Sequence, residues 1–144
     1  MSVAHILKQK GRDVVTAAPS DSVKSVAETL ARRKIGAVVI LAEQGRVEGI
    51  VSERDIVRVI AEKGPDALNH TVGAIMTRNV KFCAEDDSEA ELMSLMTQHR
   101  IRHLPVVTNG RLAGMISIGD VVKTRIAETV SEAAALRDYI SAAL

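Results

Sequence analysis

Two serine and aspartate pairs are the residues of this chain best suited to chemistry. They belong to one pattern that runs from Gly49 to Val57 and returns from Gly114 to Val122. The pattern reads glycine, two apolar residues, serine, two variable residues, aspartate and two apolar residues. A serine hydroxyl and free amides at a helix start can bind phosphate, and an ionised aspartate can accept two hydrogen bonds from a ribose diol. The repeated pattern predicts a duplicated adenosine-nucleotide site on Ser52 and Asp55, and on Ser117 and Asp120.

The same pairs also have a purely structural interpretation. Serine at the N-cap of a helix, with an acid three residues later, forms a capping box, and a carboxylate in the first turn favours the helix dipole. Gly49 and Gly114, three residues before each serine, favour a ligand instead. A glycine there lets another group approach the strand backbone, which capping does not require.

The two copies differ in their basic residues. Arg54 precedes Asp55, whereas Gly119 precedes Asp120; conversely, Arg102 and His103 stand where the first copy has Gly36 and Ala37. A guanidinium group can bind phosphate with two parallel hydrogen bonds. We therefore expect Arg54 to hold phosphate in the first copy, and the second copy to draw its positive charge from Arg102 and His103. Both basic groups are expected to converge on phosphate in the central cleft, from opposite sides and with different affinity at the two sites. The alternatives are a solvated helix charge for Arg54 and a half-buried strand histidine for His103.

The elements around the pattern also occur twice. Each copy predicts a short helix, a strand, a helix, a strand, a hairpin, a second hairpin strand and a helix. The short helices are predicted near residues 3–10 and 72–76, the first strands at 13–16 and 79–82, and the N-caps of the next helices at Ser20-Asp21 and Asp86-Asp87. The apolar strands 37–42 and 104–108 lead to turns at Gln44-Gly45 and Asn109-Gly110. The first copy carries three extra residues around Gln9, Lys10 and Gly11.

This order predicts an α+β (α/β-like) fold of two βαββα repeats packed about a pseudo-two-fold axis. We expect the first repeat at residues 1–63, a linker at 64–71, the second repeat at 72–130 and a helical extension at 131–144. The last helix is predicted to begin near Val121, and its apolar stripe continues to Leu144. A single repeat cannot bury so long a helix, so we expect its tail to pack on a partner subunit or on the N-terminal helix.

Composition narrows the class of function. The chain has 144 residues, a net charge of +1 and only two aromatic residues, Phe82 and Tyr139. Neither a basic surface nor base-stacking platforms are indicated, so we expect no nucleic-acid partner. No stretch is apolar enough to span a membrane, and the lone Cys83 forms no internal disulfide. We expect a soluble cytoplasmic protein.

No catalytic arrangement is indicated by the spacing of nucleophiles, histidines or phosphate-binding glycines. His99 and His103 are four residues apart, but they span a helix end and a strand start and should not share a metal ion. We therefore expect neither an enzyme nor a metal site.

The tandem motifs, together with Ile75-Met-Thr77 and residues 101–106 (Ile-Arg-His-Leu-Pro-Val), resemble a pair of cystathionine-β-synthase (CBS) domains, or Bateman module. The resemblance extends from about Val3 to Ile126. It implies clefts that bind AMP, ADP, ATP, NAD or S-adenosylmethionine, and a homodimer. It also implies that Asp55 and Asp120 hold ribose and that Ser52 and Ser117 contact the ribose-phosphate region. The adenine contacts implied are Thr16, Ala37 and Val38 in one copy, and Thr77, Asn79, Val80, His103 and Leu104 in the other.

The function expected from this resemblance is regulatory. The module would sense an adenine nucleotide and act in trans on a protein partner. The alternative is a ligand-free dimerisation scaffold whose motifs serve only as helix caps.

Overall fold

A computed structural model of the chain describes residues 1–143; Leu144, the predicted end of the apolar stripe, lies outside the described residues. The helices are α1 (Val3–Lys10), α2 (Val23–Arg33), α3 (Glu53–Lys63), α4 (Val72–Ile75), α5 (Glu89–His99) and α6 (Ile118–Ala143), with a 3-10 helix at Pro65–Asn69. The strands are β1 (Thr16–Ala17), β2 (Ala37–Leu41), β3 (Val47–Ser52), β4 (His103–Thr108) and β5 (Arg111–Ser117). The predicted α+β fold of two repeats with a long C-terminal helix is confirmed.

Each repeat is built on an antiparallel hairpin. In the first repeat β2 pairs with β3 and, in parallel, with the short β1; in the second, β4 pairs with β5. Asn109 and Gly110 have φ angles of 53° and 75°, which suit a tight two-residue turn. Both predicted hairpins are therefore confirmed.

The predicted strand at residues 79–82 is wrong. Only Cys83 pairs there, through a parallel bridge to Val106, and its ladder consists of Cys83 N–H donating to Pro105 O and Val107 N–H donating to Cys83 O, both at 3.0 Å. The preceding residues must return from Thr77, which is hydrogen-bonded to Ile50 in the other repeat. Residues 78–82 connect that pairing to the Cys83 bridge and form no strand pairing of their own.

The predicted N-caps of α2 and α5 are also wrong, by one or two residues. Ser22 and Ser88 are the caps. Asp21 and Asp87 instead close the turn before each helix, since their carboxylates accept hydrogen bonds from the amides of residues 18 and 84. An aspartate suits both positions, and composition alone does not distinguish them.

The first helix of each repeat packs into the core of the other repeat. Val3, Ile6 and Leu7 of α1 are buried with Leu92, Met96, Leu104, Val106, Ile116 and Val121 of the second repeat. Val72 and Met76, at the two ends of α4, are buried with Val23, Val26, Leu30, Val38, Ile40, Val51 and Ile56 of the first repeat. Each core therefore requires both halves of the chain.

Matching hydrogen bonds anchor both crossed helices. Val3 N–H donates to Asp87 O at 2.9 Å, and its counterpart Val72 N–H donates to Asp21 O at 2.8 Å. Glu89 N–H donates to Met1 O, and Val23 N–H donates to His70 O, each at 2.8 Å. The same contacts recur in both halves, as the predicted pseudo-two-fold axis requires.

The two motif glycines provide space for these crossed helices. A Cβ atom at Gly49 would lie 2.6 Å from Met76 Sδ and 2.9 Å from Thr77 O. At Gly114 it would lie 2.6 Å from Leu7 Cδ2. The close approach expected for a ligand is therefore made by the protein itself, so the glycines do not argue for a ligand.

Helix α6 extends well beyond the second core. The Met1 ammonium group lies 3.8 Å from Glu128 Oε1, which ties the N-terminus to the middle of the helix. Beyond it Val130, Leu136 and Tyr139 are exposed, so α1 does not cover the tail. No helix among residues 1–143 has both the length and the apolar character needed to cross a membrane.

The crossed packing predicts the cost of a methyl group at Gly49. Gly49→Ala should lower the free energy of unfolding by about 1–3 kcal/mol, because the Thr77 carbonyl cannot move aside without breaking its pairing with Ile50. Gly119→Ala is the control, since its Cβ would meet only Ser117 Oγ at 3.6 Å and a helical Ala raises stability by up to ~1 kcal/mol. Urea unfolding of both variants measures the difference, and equal stabilities would contradict the proposed role of Gly49.

Candidate functional site

Two cavities lie between the repeats. The first, the Asp55 cavity, has a volume of about 220 Å³ and is lined by Gly36, Ile50, Ser52, Glu53, Arg54, Asp55, Arg58, Thr77, Arg100, Ile101, Arg102 and His103. The second, the Asp120 cavity, has a volume of about 330 Å³ and is lined by Lys10, Asp13, Val14, Val15, Lys34, Ile35, Gly36, Ala37, His103, Met115, Ser117 and Asp120. Larger depressions elsewhere are more open to solvent.

Both cavities are composite. The Asp55 cavity combines the serine and aspartate of the first repeat with Thr77 and the start of β4 from the second. The Asp120 cavity combines the second pair with Val15 and the start of β2 from the first repeat. A ligand in either cavity would therefore contact both halves of the chain.

Asp55 is 5% exposed, and both of its carboxylate oxygens are occupied. Oδ2 accepts from the Ser52 amide at 2.9 Å and the Ser52 hydroxyl at 3.1 Å. Oδ1 accepts from Arg58 Nη2 at 2.7 Å and Thr77 Oγ1 at 3.3 Å. The Asp55 amide in turn donates to Ser52 Oγ at 3.3 Å, which completes the capping box. The capping interpretation is therefore correct for the geometry, although it accounts for only one of the two oxygens.

Asp120 has a similar cap and a different cation. Its Oδ2 accepts from the Ser117 amide at 2.8 Å and from Lys10 Nζ at 2.5 Å, while its amide donates to Ser117 Oγ at 3.2 Å. Burial raises the pKa of Asp120, but the hydrogen bonds from Lys10 and Ser117 outweigh this effect and hold the pKa below its usual value. Lys10 also donates to Met115 O at 2.7 Å.

The basic residues agree with the prediction only in part. Arg54 and Arg102 line the same Asp55 cavity from opposite repeats, the arrangement expected if both converge on one cleft. Arg102 does not line the Asp120 cavity, so its assignment to the second copy's site is wrong. The Asp120 cavity has Lys10 and Lys34 instead, together with His103. Arg102 lies in the Asp55 cavity because both repeats contribute to each cavity, and the start of β4 lines the same cavity as the start of α3.

His103 forms a wall shared by both cavities. Its ring lies 3.0 Å from the place that a Cβ atom of Gly36 would occupy, so the glycine makes room for the imidazole. Burial lowers the pKa of His103, Lys10 and Arg102 lower it further, and Glu53 and Asp120 oppose them. A half-buried strand histidine is thus an accurate description, and it stands between the two candidate sites.

The remaining predicted contacts lie apart from the cavity linings, except for Ala37 and Thr77. Val38 and Leu104 are 1% and 0% exposed, belong to the two cores and line neither cavity. Thr16 lines an open groove on the outer side of the first repeat. Asn79 is exposed and Val80 half-buried, outside both linings.

Thirteen lining residues were not anticipated, and four of them are basic: Lys10, Lys34, Arg58 and Arg100. Two of these basic residues left a signal in the sequence. Lys10 lies within the three extra residues of the first copy, and Arg58 follows Asp55 by one helical turn.

Neither a reactive thiol nor a metal centre accompanies the cavities. Burial, with a smaller contribution from Asp87, raises the pKa of the Cys83 thiol to about 12, so it stays protonated at neutral pH and is a poor nucleophile. Among residues 1–143 no group of three or more His, Cys, Asp or Glu side chains is arranged to bind a metal ion.

Comparison with known proteins places this geometry in a family. The family model of the CBS domain matches twice, at residues 3–62 and 72–127. Among solved structures, the CBS-domain containing protein ATU1752 from Agrobacterium tumefaciens is 49% identical with a TM-score of 0.85, over 86% of this chain and 92% of that one.

Two further similar structures contain ligands. The CBS domain pair of protein MJ0100, in complex with 5′-methylthioadenosine and S-adenosyl-L-methionine, is 26% identical with a TM-score of 0.79, over 89% of this chain and 98% of that one. The CBS domain protein PAE2072 from Pyrobaculum aerophilum, complexed with AMP, is 29% identical with a TM-score of 0.74, over 83% of this chain and 89% of that one.

The lowered pKa of His103 predicts how stability varies with pH. A histidine pKa that is lower in the folded than in the unfolded chain contributes stability above the unfolded value of about 6.5, and this contribution is lost as the pH falls below it. Thermal unfolding at pH 7.5 and pH 5.5 should therefore show a smaller loss of stability in His103→Gln than in the wild type. His99→Gln, at an exposed position, is the control and should behave as the wild type. Equal losses in all three proteins would refute the burial argument.

Proposed function

The chain belongs to the CBS domain family, and on that premise we propose that it binds an adenosine-containing ligand between its repeats and regulates a partner protein in response. The observation that carries this proposal is the pair of cavities, each lined by the helix-capping aspartate of one repeat and by aliphatic residues that include at least one from the other repeat. The complexes of PAE2072 with AMP and of MJ0100 with 5′-methylthioadenosine and S-adenosyl-L-methionine support the ligand class.

The two ends of such a ligand fit different parts of each cavity. Asp120 would accept the ribose hydroxyls, because an ionised carboxylate accepts hydrogen bonds without donating. The adenine would lie among aliphatic groups such as Val15, Ile35 and Met115, which provide apolar contact without aromatic stacking. In the Asp55 cavity Ile50 and Ile101 would provide this apolar contact with the adenine.

Binding would require a cation to move in the Asp55 cavity, where Arg58 occupies Asp55 Oδ1. The Arg58 side chain is long and partly exposed, so it could leave the carboxylate to a ribose and turn towards another part of the ligand. In the Asp120 cavity Lys10 is bound to Oδ2, and Oδ1 accepts no hydrogen bond from residues 1–143. A ligand changes the conformation only by binding one state more tightly than another. Contacts with both repeats would provide that difference, since they depend on the relative position of the repeats.

A ligand-free scaffold is the second candidate function. The observation in its favour is that Asp55 is fully occupied by protein groups: it completes a capping box with Ser52 and also accepts a hydrogen bond from Arg58. A scaffold and a sensor differ in one respect: only the sensor loses a binding activity when the aspartate is changed.

We also propose that the chain forms a homodimer through α6. Val122, Ile126, Val130, Leu136 and Ile140 are between 44% and 61% exposed and recur at helical intervals, as expected for a helix that packs on another helix. The cytoplasmic location, the action in trans and the separate partner protein stay predictions from the sequence.

Substitution of Asp120 separates capping from binding. Asp120→Asn keeps an oxygen for the Ser117 amide but removes the charge that favours ribose hydroxyls, so affinity for adenosine at this site should fall at least about tenfold. Asp120→Ala should add a loss of about 0.5–2 kcal/mol in stability. Calorimetric titration and urea unfolding measure the two effects. Asp55→Asn should act in the same way at its own cavity.

Helix α5 offers a matched control, because Ser88 and Glu91 form the same capping box outside both cavities. Glu91→Ala should lower stability by a similar amount, about 0.5–2 kcal/mol, with no change in adenosine affinity. If the aspartate variants also lose stability alone, or if the wild type binds no adenosine-containing ligand at millimolar concentration, the scaffold function is correct.

The dimer proposal predicts the effect of charge on α6. Replacing both Ile126 and Leu136 with Glu should convert a dimer to a monomer in light scattering, because two carboxylates would be buried in the helix pair. Glu132→Ala, at an exposed polar position, should remain dimeric. A monomeric wild type, or a dimeric double variant, would exclude this interface.

A further inference from the structure

We infer that the two cavities select their ligands by charge: the Asp55 cavity takes a di- or triphosphate of adenosine, and the Asp120 cavity takes an uncharged or zwitterionic adenosine derivative. This inference rests on the proposed function and assigns a ligand class to each of its sites. It is carried by the charged side chains that line each cavity and by the partners to which they are already bound.

The lining of the Asp55 cavity contains four arginines from both repeats. Arg54 and Arg58 extend from α3, and Arg100 and Arg102 come from the segment between α5 and β4. Only two carboxylates, those of Glu53 and Asp55, share the lining. A cleft lined by an excess of one charge attracts ligands of the opposite charge.

Three of these arginines have no acidic partner within residues 1–143. Arg58 alone is paired with a carboxylate, at 2.7 Å from Asp55. Arg54 Nη1 donates to the backbone carbonyl of Arg100 at 3.2 Å, which draws one cation towards a segment that carries two more. Arg102 makes no ion pair with the described residues. Guanidinium groups gathered in this way favour a polyanion, and each can bind phosphate oxygens with parallel hydrogen bonds.

The Asp120 cavity is balanced in charge and its cations are more fully engaged. Lys10 is bound to both Asp120 and Met115 O, and Lys34 is the other lysine in the lining. Asp13 adds a second carboxylate to the lining. The helix start provides no cation, because Gly119 stands where the first repeat has Arg54.

A polyphosphate in the Asp120 cavity would thus face two carboxylates, with only Lys34 free of an ionic partner among residues 1–143. An adenosine derivative without phosphates would keep the ribose contact to Asp120 and would avoid that repulsion. The shared wall at His103 adds little to this contrast, since an imidazole that is neutral contributes no net charge to either cavity.

Titration of the wild type tests directly whether the two cavities select different ligands. ATP should bind with one equivalent at high affinity, and adenosine added to the ATP-saturated protein should occupy one further equivalent. In Asp120→Ala, which keeps only the Asp55 ribose site, the second equivalent should be lost. Affinity in this variant should rise from adenosine through AMP and ADP to ATP, by roughly tenfold for each phosphate that gains a charged hydrogen-bond partner.

The double variant Arg54→Gln/Arg102→Gln, made in the Asp120→Ala protein, should flatten that series and leave adenosine affinity unchanged. Arg137→Gln, on exposed α6 outside both cavities, is the control. Two equivalent ATP sites in the wild type, or a double variant that retains the full rise towards ATP, would overturn the inference. Adenosine binding without any dependence on phosphate would overturn it and leave the proposed function intact.

If the proposed function is wrong, the titrations give a different result from failure of this inference alone. If neither adenosine nor its nucleotides bind, inorganic tripolyphosphate tests the arginine cluster alone. Its binding to the wild type, and its loss in Arg54→Gln/Arg102→Gln, would uphold the polyphosphate site without an adenosine sensor. Absence of tripolyphosphate binding would overturn this inference as well.

Discussion

The structure depends on the exchange of first helices between the repeats. Neither hairpin with its two helices closes a core alone, and each is completed by the short helix that precedes the other repeat. The exchange is fixed at one end by the pairs of backbone hydrogen bonds at residues 3 and 72, and at the other by side chains packed on Gly49 and Gly114. Only a residue without a Cβ atom allows this approach. Mutual completion makes the two repeats one cooperative unit, since unfolding either would expose the core of the other.

The composite cavities are a consequence of the same exchange. Ile50 pairs with Thr77 as α4 crosses to the first repeat, and this pairing brings the Thr77 hydroxyl to Asp55. In the second repeat Lys10 takes the corresponding place. It reaches Met115 O, the counterpart of Ile50 O, and also Asp120. Lys10, one of the three extra residues at the end of α1, thus takes the place that the backbone of Thr77 has beside Ile50 in the first repeat. The two cavities therefore differ in charge, although the folds around them match.

Features determined by local physics were accessible from the sequence. The helical apolar spacing of Val23, Val26 and Leu30, and the Asn109-Gly110 turn, predicted elements that the structure contains. Features determined by the exchange were not. The strand expected before Cys83 is reduced to one bridge, Lys10 reaches the aspartate of the other repeat, and Gly49 accommodates Met76. The sequence of one repeat predicts most of its helices and its hairpin, but it does not predict the contacts between repeats, because sequence separation does not reveal which core a short helix enters.

A helix cap and a ligand site do not exclude each other, because the two oxygen atoms of each aspartate have different partners. In both repeats the cap uses Oδ2, which accepts the amide of the serine three residues earlier. Oδ1 of Asp55 faces Arg58 and Thr77, and Oδ1 of Asp120 accepts no hydrogen bond from residues 1–143. Capping holds the carboxylate rigidly at the cavity wall and leaves its second oxygen for exchangeable partners. A group fixed in advance by its own backbone loses little conformational entropy when a ligand arrives. The cap is therefore compatible with binding, and it supplies the rigidity that a binding carboxylate needs.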